Sequence, residues 1–418
     1  MNQPVLANPR AACLEALSRW EKGREFADEI LHAMFDAADF STLDRALLNE
    51  LFYGIIRHQR LLDFLIAQLR EEDVDMETRQ LLRLGLYQIF HTRIARHAAV
   101  NETVQLGGRA RGLVNAILRR SLREEDALKK RIARAPLAVR FSHPEMLVER
   151  WRKIFGDENT RRLCLWNNQP AEIFVRANEL KVTRDELLRS VDAEPLARHR
   201  LMLRVRQVPL PWIMQGLCYV QDPSTLLACE LLDPQPGERV LDACAAPGGK
   251  TSHLAQLMRN EGEIVACDAS AKRLARLQEN LQRLGVEIAR VAQVDWLRGA
   301  KFAGQSFDRI LVDAPCSNTG VIRRRVDVRW RLQADEFARM QSTQLALLRT
   351  VAPLLKPGGT LVYSTCSIEP EENDGVVRKA GEEIVELRFV ESRQWLPFRD
   401  EVDGAFAARF ERVKNTPV

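Results

Sequence analysis

The 418-residue chain has little of what marks a membrane protein, a metalloprotein or a disulfide scaffold. No run approaches eighteen consecutive apolar residues, the length of a spanning helix. The opening MNQPVLANPRAACLEAL lacks the charged-then-apolar pattern of a secretion signal, so a cytoplasmic protein with no membrane contact is expected. The eight cysteines (13, 164, 218, 229, 244, 267, 316, 366) are scattered without a C-x-x-C, and the seven histidines show no partner spacing. No metal is expected, and in a reducing compartment the cysteines are free thiols. G-x-G-x-x-G is absent, which counts against a dinucleotide cofactor and a dehydrogenase. Between Asn2 and Arg134 the only prolines are Pro4 and Pro9, which suits a compact helical bundle.

What is present is an ordinary folded composition, 46% apolar and 28% charged, in a chain long enough for two to four domains. Residues 1–135 read as all-α. Leu47, Leu48, Leu51, Phe52, Ile55 and Ile56 recur at helical spacing behind a cap at Ser41 or Thr42, and similar faces follow at 61–69 and 81–90. From Gly107 to Arg140 ten Arg or Lys stand against three Glu or Asp, a net of about +7 that suits a phosphate-binding surface. The stretches DRALLNELFYGIIRHQRLLDFLI, LLRLGLYQIF, HAAVNETVQL and GLVNAILRR resemble the NusB-like RNA-binding domain.

Residues 136–223 change character. Prolines punctuate them, and alternating strands at 173–177 and 201–208 flank a short helix at 183–190, so a small α/β linker module is expected. Phe174 and Trp212 are read as core rather than base-stacking residues. Residues 224–418 alternate strand and helix as an α/β Rossmann-like, mainly parallel sheet. Strands are read at 263–267, 288–293, 307–312 and 360–365, helices at 271–284 and 334–355, and edge strands after Arg388.

The third region is organised around LDACAAPGGKT, Leu241–Thr251, a strand, a Gly-containing turn and a helix. In open α/β sheets ligands bind at such a turn, at the carboxyl ends of the strands. Asp268, Asp295 and Asp313 follow at the ends of the next three strands, all at that edge. S-adenosylmethionine fits this set, with its hydroxyls on Asp268, adenine near Asp295 and its cationic end by Asp242. Cys316 follows the fourth strand in DAPCSNTG and Cys366 the fifth in YSTCS, so two thiols converge near the cofactor. Methylation at carbon 5 of a pyrimidine needs such a thiol, because that carbon is too weakly nucleophilic unaided. A thiolate adding at carbon 6 creates an enamine that attacks the methyl group. Asp313 stands where it can contact the ring N3. The residues alone do not separate the roles of Cys316 and Cys366. The arginines 323, 324, 325, 329 and 331 are read as phosphate contacts, and Glu369, Glu371 and Glu372 as the start of the next helix.

DACAAPGGKT, DAPCSNTG, VDVRWR and VYSTCSIEPEEN together resemble the RNA 5-methylcytosine methyltransferases. With the NusB-like start, the whole chain is similar to the bacterial small-subunit (16S) ribosomal RNA members. The resemblance implies a nucleophilic Cys366, a Cys316 that assists product release, and ribosomal RNA as partner. It also implies that Cys244, Ala245, Ala246, Pro247, Gly248, Gly249, Lys250, Asp268, Asp295 and Asp313 contact the cofactor or the target base. Transfer RNA is the alternative substrate, and an RNA-binding assembly factor without turnover the alternative class. Retention of both thiols argues against the latter.

Overall fold

The computed structural model describes residues 8–190, 192–197, 199–299, 302 and 304–414. The chain divides into two units, Met1–Asn168 with Arg325–Arg331, and Gln169–Arg324 with Leu332–Val418.

The first unit is helical. Its longest uninterrupted helix, Thr42–Leu69, starts where Ser41 Oγ accepts from the Asp44 amide at 3.1 Å. It buries Leu48, Leu51, Phe52, Ile55 and Ile56 against helices Pro9–Glu21 and Met76–His91. The kinked helix Glu145–Asn168, which lies in the stretch read as a linker, falls within this unit. Its Gly156 adopts φ +79° at the kink.

The unit also takes up residues 325–331, which overturns the phosphate-contact reading of most of that arginine cluster. Val326 joins the helical core, and Trp330 Nε1 donates to the Ile56 carbonyl at 2.8 Å. Asp327 accepts from the Ala27 amide at 3.0 Å. Arg329 is fully buried, donating to the carbonyls of Ser142 and Asn167 and to Asn168 Oδ1. Arg331 donates to the Gly23 and Glu25 carbonyls and lies over the Phe26 ring at 4.6 Å. A guanidinium with five donors satisfies several carbonyls at once, so these arginines serve the fold. Only Arg325 of the five is exposed.

The second unit holds two sheets. The smaller is antiparallel, with strands β1 (Ile173–Ala177), β2 (Ala193–Pro195), β3 (Met202–Val205) and β4 (Cys218–Val220) in the order β2-β3-β1-β4. Phe174 is buried and Trp212 packs against the apolar side chains of this sheet, as read.

The larger sheet contains β5 (Arg239–Asp242), β6 (Glu263–Asp268), β7 (Ala289–Gln293), β8 (Phe307–Asp313), β9 (Leu355–Thr365), β10 (Leu387–Trp395) and β11 (Ala405–Arg412). Their order is β10-β11-β9-β8-β5-β6-β7. Strands β5 to β9 pair in parallel, and the last two antiparallel. The tail was read as edge strands. Of the two tail strands only β10 lies at an edge, because the β10–β11 hairpin folds back and inserts β11 beside β9. The central strands are near-continuous apolar runs, as expected of a parallel sheet covered on both faces. Successive strands leave β5 first toward β6 and β7, then on the other side toward β8 and β9. The strand order therefore reverses between β5 and β8, and a crevice opens there at the carboxyl ends.

Candidate functional site

Asp242, Asp268 and Asp313 end β5, β6 and β8 at the carboxyl edge of the sheet, and Asp295 follows β7 at the same edge. Asp242, at the end of β5, is fully buried. Its Oδ2 accepts from Thr251 Oγ1 at 2.7 Å, while Oδ1 has no hydrogen-bond partner. Burial pushes its pKa up to about 7 against the opposing pull of the Thr251 hydrogen bond. A buried orphan acceptor is costly unless a donor or a cation arrives. Asp268, at the end of β6, accepts from the Ser270 amide and from Arg273, both at 2.9 Å. Asp295 stands two residues beyond β7 rather than on it. It caps the short helix Trp296–Arg298 through the Leu297 amide at 3.1 Å and pairs with Arg298 at the same distance. The neighbouring Trp296 donates to the Ala243 carbonyl at 2.8 Å, tying this segment to the turn after β5.

That turn, Cys244–Lys250, is held from several sides. The Ala245 amide donates to the Cys267 carbonyl at 2.7 Å, and Asn280 Nδ2 to the Pro247 carbonyl at 2.8 Å. Gly248 adopts φ +103°, and a Cβ there would also meet Leu277 at 2.8 Å, so the position requires glycine. The helix Gly249–Leu257 starts at this turn and points its free amides toward the crevice edge. Burial raises the Cys244 thiol pKa well above its usual range.

Lys250 reaches from the first turn of that helix to Asp313 at the end of β8, Nζ to Oδ2 at 2.6 Å. Burial works against its charge, but the Asp313 carboxylate and this hydrogen bond outweigh it, so the ammonium is stabilised. Asp313 Oδ1 accepts from Ser364 Oγ at 2.8 Å.

The two thiols lie beside this pair. Cys316 Sγ and Cys366 Sγ are 3.3 Å apart, both unoxidised. The Cys366 thiol donates to Asn318 Oδ1 at 3.2 Å, while Asn318 Nδ2 donates to the Cys316 carbonyl at 2.8 Å. The hydrogen bond to Cys366, burial, and the charges of Cys366 and Glu372 all push the Cys316 pKa up, so Cys316 is the thiol that keeps its proton. Lys250 is near enough to Cys366 for their charges to interact.

Several residues that the sequence reading missed hold these loops. Gly320 donates to the Cys366 carbonyl at 3.0 Å and accepts from the Gly404 amide at 2.8 Å. The preceding Asp403 binds Arg324 at 2.5 Å and lies 3.3 Å from Arg323, and Arg324 also reaches Asp222 at 2.7 Å. These two arginines therefore buttress the loop instead of facing solvent phosphates. Glu372 does not begin a helix. It is fully buried under both thiol loops, and the next helix is Asp374–Glu383. Spacing carries no signal for such contacts, because residues 317, 367 and 372 meet only after β8 and β9 have paired.

The basic stretch forms helices Arg111–Arg123 and Glu125–Arg134 in the first unit. Arg109, Arg111, Arg119, Arg123, Lys129, Lys130, Arg131, Arg134 and Arg140 are exposed. No helix among the described residues is long and apolar enough to cross a membrane, and none of their His, Cys, Asp and Glu groups forms a metal-binding cluster.

Residues 229–411 match the family described as 16S rRNA methyltransferase RsmB/F. Residues 7–123 match the NusB family, and 143–203 the ferredoxin-like domain of RsmF/B-like methyltransferases. The probable ribosomal RNA small subunit methyltransferase B of Bacillus subtilis is 37% identical over 390 residues, covering 88% of this chain and 87% of its own. The ribosomal RNA small subunit methyltransferase B of Pseudomonas putida is 38% identical over 390 residues, covering 89% and 88%. The crystal structure of a methyltransferase homolog protein from Pyrococcus horikoshii superposes with a TM-score of 0.59 at 30% identity, covering 66% of this chain and 98% of that one. With domain matches along its length and relatives of this identity spanning nearly nine-tenths of it, the chain belongs to the 16S rRNA methyltransferase RsmB/F family.

Proposed function

We propose that the protein methylates carbon 5 of a cytosine in 16S ribosomal RNA through a covalent bond between Cys366 and carbon 6. The observation that carries this reading is the pair of thiols 3.3 Å apart, delivered by the ends of β8 and β9 beside the Lys250–Asp313 ion pair. A methyltransferase acting on a ring nitrogen or an exocyclic amine has no use for two adjacent thiols.

S-adenosylmethionine would supply the methyl group. The residues present suit it: the orphan Oδ1 of Asp242 awaits a cationic partner, Asp268 offers a carboxylate for ribose hydroxyls, and Gly248–Gly249 leave room for close backbone approach. The backbone of Cys244, Ala245, Ala246, Pro247 and Lys250 completes the cradle, with Asp295 at its adenine end.

In the chain's own steps, Cys366, within electrostatic reach of the Lys250 ammonium, adds to carbon 6 as its thiolate. Asp313 would accept a hydrogen bond from the ring N3 in its protonated form, which makes carbon 6 more electrophilic and lets electron density move toward carbon 5 as the thiolate adds. After methyl transfer a base, such as a solvent hydroxide, takes the carbon-5 proton, and the freed electron pair re-forms the C5–C6 double bond and expels the Cys366 thiolate. Cys316, held at 3.3 Å, assists this elimination. Cys316 resists ionisation more than an ordinary thiol, which suits it to assist release rather than to attack.

Labour divides among three parts: 1–135 holds RNA through its basic face, 136–223 links, and 224–418 performs the chemistry in the cytoplasm. The position of the modified base is tested by bisulfite sequencing of 16S ribosomal RNA from cells with and without the protein. One protected cytosine that becomes convertible on deletion supports the reading. An unchanged 16S pattern with a lost signal in transfer RNA refutes the substrate.

A further inference from the structure

Both cysteines are followed by serine, and both serines meet one acid. Glu372, on the segment before helix Asp374–Glu383, has no exposed surface. Its carboxylate accepts from the Ser317 amide at 2.9 Å and from Ser317 Oγ. It also accepts from Ser367 Oγ at 2.7 Å and from Gln344 Nε2 at 3.0 Å. The hydrogens run in one direction: the Glu369 amide donates to Ser367 Oγ at 3.1 Å, leaving that hydroxyl to donate to Glu372. Gln344, on helix Glu336–Val351, uses the same amide nitrogen to hold the Pro315 carbonyl at 3.0 Å, one residue before Cys316. Tyr363 of β9 donates to the Glu372 carbonyl at 2.6 Å.

Four donors therefore converge on one side chain from the residue after each thiol and from the helix beneath. Among the described residues the hydrogen-bond partners of this carboxylate are Ser317, Ser367 and Gln344, none of them charged. Burying an acid without a counter-ion is expensive, so only its acceptor capacity accounts for it here. A carboxylate accepts at both oxygens, whereas an amide turns one of those positions into a donor facing a donor.

We propose that Glu372 is a positioning residue that sets the two thiols in register, fixing the Cys316 loop through Ser317 and the Cys366 loop through Ser367. This rests on the reading above, in which Cys366 attacks and Cys316 assists release. The negative charge beneath Cys316 has a second consequence: it helps Cys316 keep its proton.

The test measures single-turnover adduct formation and adduct decay on a 16S ribosomal RNA transcript with S-adenosylmethionine, using the full-length Glu372→Gln variant. Both steps should slow at least tenfold, with affinities for cofactor and RNA within twofold of wild type. The pH profile of adduct decay should shift to lower pH, a change that a merely structural residue would not produce. Ser367→Ala should slow formation selectively, and Ser317→Ala should slow decay so that the adduct accumulates. These two variants decide the matter if Glu372→Gln does not fold. Wild-type formation and decay rates in the folded variants overturn the proposal. So does a loss of melting temperature and cofactor affinity with both rates preserved. Cys366→Ala run in parallel separates the two levels. If it loses the adduct while the Glu372 and serine variants behave as wild type, only the positioning role falls. If it turns over normally, the covalent reading falls with it.

Discussion

Replacing Gly320 by alanine tests whether the backbone behind Cys366 is as tightly built as its contacts indicate. A Cβ at this position would meet the Cys366 carbonyl oxygen, the Gly404 Cα and the Gly404 carbonyl oxygen, each at 2.7 Å. All three are backbone atoms held by the Gly320–Cys366 and Gly404–Gly320 hydrogen bonds, so no side chain can swing aside. Gly320 is not among the residues with positive φ, so the strain is steric and not conformational. Relief requires the Cys366 loop or the Asp403–Gly404 segment to shift by several tenths of an ångström. Overpacking of this kind costs about 1–3 kcal/mol, enough to lower the melting temperature by several degrees. A misplacement of about 1 Å at a reacting group can cost roughly a hundredfold in rate, so a fraction of that should cost about tenfold. Cofactor affinity should hold, because the Cβ contacts do not include the turn at Cys244–Lys250. Gly381→Ala is the control: a Cβ there meets nothing within 4 Å, so it should stabilise the helix by roughly 0.5–1 kcal/mol and leave activity unchanged. Thermal unfolding, calorimetry with S-adenosylmethionine and a methylation assay on one preparation give all three quantities. Wild-type activity and stability in Gly320→Ala would refute the reasoning.

Asp268→Ala should weaken S-adenosylmethionine binding by about 1.5–3 kcal/mol, roughly ten- to a hundredfold, and calorimetry reads it directly. An unchanged affinity in a folded variant would remove Asp268 from the site. Reversing Arg119, Arg120 and Arg123 to glutamate should weaken RNA binding and flatten its salt dependence while sparing cofactor affinity. An unchanged salt slope in filter binding would move the RNA face elsewhere. Asp242 has a folded pKa near 7 against an ordinary 3.8, so its contribution to stability is full below about 4 and lost as pH rises through 7. Asp242→Asn, measured without cofactor, should therefore be more stable than wild type above pH 7, with the gap closing toward pH 4. A gap independent of pH would contradict this.

The all-α start, the small module and the Rossmann-like sheet were legible because each has its own period. Leu48 to Ile56 repeat at helical spacing, Ile173–Ala177 alternates, and the central strands run apolar. The site's outline was legible for a related reason. In a parallel sheet each strand ends at the same edge, so Asp242, Asp268, Asp313, Cys316 and Cys366 follow from reading strand ends. What could not be read is anything that depends on pairing across the chain. The β10–β11 hairpin inserts β11 beside β9, and no local pattern distinguishes that from two edge strands. Arginines 323, 324, 329 and 331 read as phosphate contacts, yet they satisfy carbonyls and acids contributed by residues far away in sequence. Glu372 read as a helix start because acids favour that position. Its actual donors come from residues 317, 344 and 367. Polar side chains that serve burial look the same in sequence as those that serve solvent.

The central claim, a covalent bond from Cys366 with Cys316 serving its release, is tested most directly by denaturing electrophoresis. The Cys316→Ala and Cys366→Ala variants are incubated with S-adenosylmethionine and 16S ribosomal RNA. Cys316→Ala should attack, methylate and stall, giving a slow-migrating protein–RNA band, while Cys366→Ala should give neither band nor product. A band trapped by Cys366→Ala and none by Cys316→Ala would exchange the two roles, and turnover by Cys366→Ala at the normal rate would contradict covalent catalysis altogether.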